Sequence, residues 1–239
     1  YQGSFMGLTW SFLNPLVMLG TYTFVFGYIF PSRWEHRTGT PLEFAIVLFS
    51  GLVVVNFFSE CMNRSCLLVV NHSNFVKRVV FPLEVLPWTT VGCALFHLAA
   101  SMLVLLSLYL VSNQRIEPAV LLLPVLYVPL VLLVTGLCWV LSCLGVYLRD
   151  VAQTVTLSTM ILVFLSPLFY PLSAVPETVR PFFYLNPMTF MILQTRTLVL
   201  GEGGIDWSGW VIYCAAGLAV CWAGFALFQR LRRNFADVL

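Results

Sequence analysis

Residues 85–114, VLPWTTVGCALFHLAASMLVLLSLYLVSNQ, and 118–148, PAVLLLPVLYVPLVLLVTGLCWVLSCLGVYL, decide the fold of this chain. Neither run holds an Asp, Glu, Lys or Arg. A helix needs about 20 predominantly apolar residues to cross a bilayer, and both runs exceed that. A charged side chain at mid-bilayer costs roughly 2.5–3.5 kcal/mol even on insertion scales, so an uncharged run of this length marks lipid as its solvent. The polar turn 112–117 joins the two spans, and Arg149 with Asp150 closes the second.

The rest of the chain repeats the pattern. Of its 239 residues 60% are hydrophobic and 9% charged, with a mean hydropathy of +0.92. Soluble domains are about half apolar and a quarter charged, so a soluble fold is excluded. A formal net charge of +2, with the basic residues in short clusters between apolar runs, offers no stripe for a nucleic acid. The seven cysteines, Cys61, Cys66, Cys93, Cys138, Cys143, Cys214 and Cys221, form no C-x-x-C pair and have no histidine at metal-ligand spacing. They read as small buried hydrophobes, and no metal site is expected. The chain starts on Tyr1, and native residues are expected upstream of it.

Toward the N-terminus, residues 1–32 carry no charge. Asn14-Pro15 divides them into a leading helix, 1–14, and a first span over about 16–30. In the leading piece Gln2, Ser4, Thr9 and Ser11 interleave with Phe5, Met6, Leu8, Trp10 and Phe12, an aromatic amphipathic pattern suited to the membrane surface. A polar loop, 31–43, precedes a second span over about 44–60. The connection that follows carries Glu60, Arg64, Lys77, Arg78 and Glu84 and is expected to face the cytoplasm.

Toward the C-terminus, spans three and four are read at 85–111 and 119–147, and a fifth at 151–169, which Pro167 cuts short. Pro167, Pro171, Pro176, Pro181 and Pro187 then punctuate an aromatic stretch that no straight span fits. Asn186-Pro187 is a helix start and Gly201 a helix stop. Residues 172–200 read as two short helices dipping into the outer membrane face, with an ordinary external loop as the alternative. Irregular backbone at that depth is tolerated only where protein or a cavity covers it, so a re-entrant segment would border a pathway. The last span, 207–228, ends in Arg230, Arg232 and Arg233. With both termini cytoplasmic, Arg64, Lys77, Arg78, Arg149 and these three arginines fall inside. Arg33, Arg37, Arg115, Arg180 and Arg196 fall outside, a modest bias in the positive-inside direction. The expectation is an all-α integral membrane protein with six transmembrane helices.

Much chemistry is missing. Lys77 is the only lysine and follows Phe75 and Val76, not a glycine loop, so the chain has no P-loop and any ATPase is another chain. Every acidic and basic residue maps to a span end or a loop, whereas ion-coupled carriers keep ionisable groups near the midplane. No set of acids or nucleophile suggests an enzyme, and no catalytic residue is assigned. A stand-alone channel or scaffolding protein remains as a different class.

Residues 73–81, SNFVKRVVF, form a short amphipathic helix with Ser73 as cap and Pro82 as stop. Phe75, Val76, Val79 and Val80 share one face, and Asn74, Lys77 and Arg78 the other. Docking to a partner and a solvated juxtamembrane helix both suit that pattern.

Three stretches together resemble a known family. Residues 1–15, YQGSFMGLTWSFLNP, are similar to the interface helix and first-span start of ABC-2 type permeases of the polysaccharide export group. Residues 74–87, NFVKRVVFPLEVLP, resemble that group's cytoplasmic coupling segment, and 166–176, SPLFYPLSAVP, with Asn186-Pro187 resemble its external gate helices. The motifs run in order along nearly the whole chain, and the last is shared by O-antigen and teichoic-acid exporters. The resemblance implies a homodimer of permeases in the bacterial cytoplasmic membrane with two cytoplasmic ATPase subunits. ATP and Mg would be bound by those subunits, with no cofactor in this chain, and the cargo would be an undecaprenyl-pyrophosphate-linked glycan moved outward. Another ABC-2 cargo, a teichoic acid, drug or small lipid, is the alternative.

The resemblance also implies roles. Phe75, Lys77, Arg78, Phe81 and Glu84 would couple to the ATPase. Sugar rings stack on aromatic faces without fixed charges, so Trp10, Tyr22, Phe26, Phe57, Phe58, Phe164, Phe169 and Tyr170 are candidates for a channel and gate wall, with lipid-facing belts or helix packing as their plainer role. Arg64, Arg230, Arg232 and Arg233 are candidates for the lipid pyrophosphate, or else simple membrane anchors.

Overall fold

A computed structural model describes residues 9–25, 41–76, 82–113 and 118–238. The chain is helical: α1 Trp10–Phe24, α2 Pro41–Ser65, α3 Leu68–Asn71, α4 Ser73–Val76, α5 Val85–Asn113, α6 Leu123–Tyr147, α7 Val151–Phe164, α8 Arg180–Tyr184, α9 Pro187–Val199, α10 Trp207–Leu231 and α11 Phe235–Val238. No strand occurs among the described residues. Among the described residues, four stretches are long and apolar enough to cross a membrane: Leu42–Ser65, Val85–Ser112, Pro118–Tyr147 and Trp207–Asn234. The helix α7 is apolar but short; at 1.5 Å per residue it reaches about 21 Å, less than the roughly 30 Å of a hydrocarbon core.

Local sequence explains where the helices start and stop. Pro41 opens α2, with Glu43 in its first turn and Arg64 in its last, both complementing the helix dipole. That helix continues past Phe58, where Glu60 and Arg64 pair one turn apart at 3.0 Å. Pro15, read from sequence as a break, lies inside α1. Asn186 caps α9 by accepting the Met188 N–H at 3.0 Å, and Pro187 takes the first helical position. Gly201, just beyond the end of α9, has φ 68°, the left-handed conformation that stops a helix without strain. Asp206 caps α10 through the N–H groups of Ser208 and Gly209 at 3.1 and 3.3 Å.

The chain divides into two compact units. The first comprises Tyr1–Asn56, Phe96–Pro124 and Val163–Ile205. Its core is the first half of α2, where Ile46, Leu48 and Phe49 are fully buried, together with Met188, Met191 and Ile192 of α9. The second comprises Phe57–Leu95, Val125–Leu162 and Asp206–Leu239. Leu68, Val69, Leu83, Leu86, Trp139, Cys143, Val146, Phe228 and Phe235 form one cluster there. Within this second unit α6 and α10 meet backbone to backbone. A Cβ on Gly136 would lie 2.6 Å from the Cys221 Cα, and one on Gly224 would collide with the Gly136 carbonyl. Small residues permit that approach, which supplies the van der Waals attraction that holds helices together in lipid.

Candidate functional site

Within the first unit, the stretch after α7 builds a proline-broken joint around one buried cation. The helix ends at Phe164, and Pro167 and Leu168 follow outside it. Arg196, on α9 and 6% exposed, reaches across to that stretch. Its Nη1 donates to the Pro167 carbonyl at 2.6 Å and its Nη2 to the Leu168 carbonyl at 2.9 Å. The Nε donates to the Val47 carbonyl of α2 at 3.1 Å. The planar fork of guanidinium donors suits this task, since three fixed carbonyls from two segments meet it at once. Space for it comes from Gly51, where a Cβ would sit 3.1 Å from the Arg196 Nη2 and 2.8 Å from the Leu168 Cδ1. Asn186 adds a second tie, its Nδ2 donating to the Leu165 carbonyl at 3.1 Å.

Aromatic rings cluster on the same unit. Tyr22 and Phe169 lie 5.8 Å apart between centroids, and Phe169 and Phe164 6.4 Å. Tyr170 packs edge-on to Phe183 at 6.2 Å and donates its hydroxyl to the Phe164 carbonyl at 2.6 Å. Phe164 is 58% exposed and Trp10, on α1, 40%. The candidate wall residues Tyr22, Phe164, Phe169 and Tyr170 therefore stand together. Phe57 and Phe58 are buried in α2 and belong to the second unit. Phe26 lies outside the described residues.

In the second unit, Glu84 organises the polar end of α10. The turn Pro82–Glu84 leads into α5, with Val85 N–H donating to the Pro82 carbonyl at 3.1 Å. Arg232 Nη1 donates to both Glu84 carboxylate oxygens, at 2.8 and 2.6 Å, and Gln229 Nε2 adds a bond at 3.3 Å. The Trp139 indole N–H holds the Glu84 backbone carbonyl at 3.2 Å. Burial pushes the Glu84 carboxyl upward, but hydrogen bonds from its own backbone, Arg232 and Gln229 outweigh it and hold the group below the ordinary carboxylate range.

The remaining sequence candidates fall as follows. Phe75 lies on α4, and Lys77, Arg78 and Phe81 lie outside the described residues. Arg64 is half exposed and paired with Glu60. Arg230 and Arg233 are exposed near Arg232. So one residue from the coupling group and one from the phosphate group, Glu84 and Arg232, form a single ion pair. The sequence marks Arg196 only as an external charge and gives no sign of Gly51, because nothing local links partners 145 residues apart in the chain. Among the described residues, no group of three or more His, Cys, Asp or Glu could hold a metal ion.

With this geometry in view, similarity to known proteins is informative. Residues 1–199 match the ABC-2 type transporter family. The chain is 25% identical over 240 residues to the O-antigen export system permease protein RfbA of Klebsiella pneumoniae, covering 100% of this chain and 90% of that protein. It is 26% identical over 239 residues to the RfbA permease of Myxococcus xanthus, covering 99% and 89%. To the polysialic acid transport protein KpsM of Escherichia coli it is 24% identical over 200 residues, covering 82% and 74%.

Proposed function

The chain belongs to the ABC-2 type transporter family, and from that premise we propose that it is the membrane permease subunit of an ATP-driven exporter. Its cargo in this reading is an undecaprenyl-linked polysaccharide of the O-antigen kind, moved out across the bacterial cytoplasmic membrane. The observation that carries the cargo is similarity, along essentially all of this chain and about nine-tenths of theirs, to permeases named for O-antigen export. The aromatic cluster of Tyr22, Phe164, Phe169 and Tyr170 supports it, because a glycan passes ring by ring over aromatic faces without needing fixed charges.

In this reading two copies of the chain work with two cytoplasmic ATPase subunits that bind ATP and Mg. Six spans cross the membrane, the longer segments that contain α1 and α7 joining the four long ones as first and fifth, with both termini in the cytoplasm. The segment 73–81 couples to the ATPase together with Glu84, and 172–200 forms the outer gate. Arg196 then has a positioning role, holding the gate stretch to α2.

Deletion of the gene from its native bacterium tests the cargo. Lipid-linked glycan should accumulate in the cytoplasm while surface glycan is lost, and unchanged surface glycan sinks the reading. Purification from the native membrane tests the partner: an ATPase subunit should travel with this chain.

A further inference from the structure

The second unit carries a groove on the exposed side of α10, of which the export reading uses only Glu84. It encloses about 430 Å³ and is walled by Trp88, Trp139, Leu218, Trp222 and Phe225, with Glu84 at one end. That volume lies within the range of sites that hold a drug-sized ligand. The wall is rigid where rings interlock: Trp139 packs edge-on against Trp88 at 5.8 Å and against Phe225 at 5.0 Å. Its open side is formed by Trp222, 76% exposed, on the long span with the least burial, 17%. An apolar groove on such a face meets lipid chains.

The polar end selects among lipids. Glu84 engages only Nη1 of Arg232, at 2.8 and 2.6 Å. The carboxylate thereby fixes the guanidinium, and its Nε and Nη2 donors have no partner among the described residues. Arg232 is 39% exposed, and Arg230 and Arg233 add exposed positive charge beside it. Trp88, 48% exposed, likewise has an indole N–H without a protein partner among the described residues, the arrangement by which tryptophan sits at a headgroup boundary. From Leu218 to Phe225 the helix rises about 10 Å toward this end, along which one acyl chain can lie.

We propose that this groove binds an anionic phospholipid of the leaflet at the arginine end of α10. One acyl chain lies along Leu218, Trp222 and Phe225, and the phosphate is held by the open donors of Arg232. Arg232 also stands among the sequence candidates for the cargo's pyrophosphate; the ligand proposed here is a bulk phospholipid, and its test does not involve transport.

The test uses the full chain in phosphatidylcholine nanodiscs, probed with brominated phosphatidylglycerol against brominated phosphatidylcholine. Bromine quenches nearby indole fluorescence, and Trp222→Phe isolates the groove contribution. We expect the anionic probe to be favoured at the groove by about fivefold, the scale of one basic residue at a charged interface. Arg232→Gln should bring the ratio close to one. Glu84→Gln, which keeps Arg232 and an acceptor for its Nη1 but removes the competing negative charge, should keep or raise it. Equal quenching by both lipids in the unmodified protein would mean an ordinary lipid annulus and overturn the proposal. A preference lost equally in both variants would reduce the pair to a structural brace and overturn it too. So would absence of quenching with efficient crosslinking between Trp222→Cys copies, which would put a second copy in the groove.

Discussion

Two arginines of this chain do opposite things with the same side chain. Arg196 is 6% exposed and spends its donors on three backbone carbonyls. Arg232 is 39% exposed and spends one nitrogen on a carboxylate. The first replaces hydrogen bonds that a broken helix cannot make for itself, in surroundings where water does not compete, so its removal leaves acceptors unsatisfied. The second is a screened interfacial pair, in which water and salt can substitute for either partner. Burial, more than charge, decides which arginine holds the fold.

Arg196→Met should have the largest effect. We expect a loss on the order of 3–5 kcal/mol, because the buried Pro167 and Leu168 carbonyls lose their donor together, read as a large drop in the thermal midpoint of the detergent-solubilised protein. A fall of less than about 1 kcal/mol, the level of an exposed pair, would break the comparison. Gly51→Ala should come next. Its Cβ presses on the Leu168 Cδ1 and the Arg196 Nη2, so a cost of about 1–2 kcal/mol is expected. If the glycine acts only by making room for Arg196, Gly51→Ala should cost much less in the Arg196→Met background, which a double-mutant cycle measures.

Glu84→Gln should be the mildest, about 0.5–1 kcal/mol, because Arg232 stays in contact with solvent. The pH dependence has a definite sign. The Glu84 carboxyl is held below its ordinary value, so its contribution is complete above the ordinary carboxylate range and fades as pH falls through the depressed value. A midpoint-versus-pH curve of the unmodified protein should therefore drop on the acid side relative to Glu84→Gln. Parallel curves would show that the pair adds nothing to the folded state.

How far the sequence could be read follows from what lipid demands of it. The long runs at 85–114 and 118–148 correspond to α5 and α6 because an uncharged run of that length has few alternatives. Asn186-Pro187 and Gly201 mark the ends of α9 for the same local reasons that make them signals. Burial, by contrast, was invisible. The spans Leu42–Ser65 and Trp207–Asn234 have nearly equal hydropathy, 2.0 and 2.1, yet one is 78% and the other 17% buried. Lipid and protein interior accept the same apolar side chains, so hydropathy cannot separate a helix facing one from a helix facing the other. Phe57 and Phe58, wall candidates by sequence, stand at 2% and 3% exposure in α2. Arg196 escaped for a related reason: its carbonyl partners are backbone atoms, which carry no residue signature.

The backbone contact of Gly136 with Gly224 has a practical use. With no side chain between them, α6 and α10 cannot slide past each other without atoms overlapping. Spin labels attached to the outer sides of these two helices should report one fixed separation throughout the transport cycle. They would supply the internal ruler against which movement of labels elsewhere in the chain is measured.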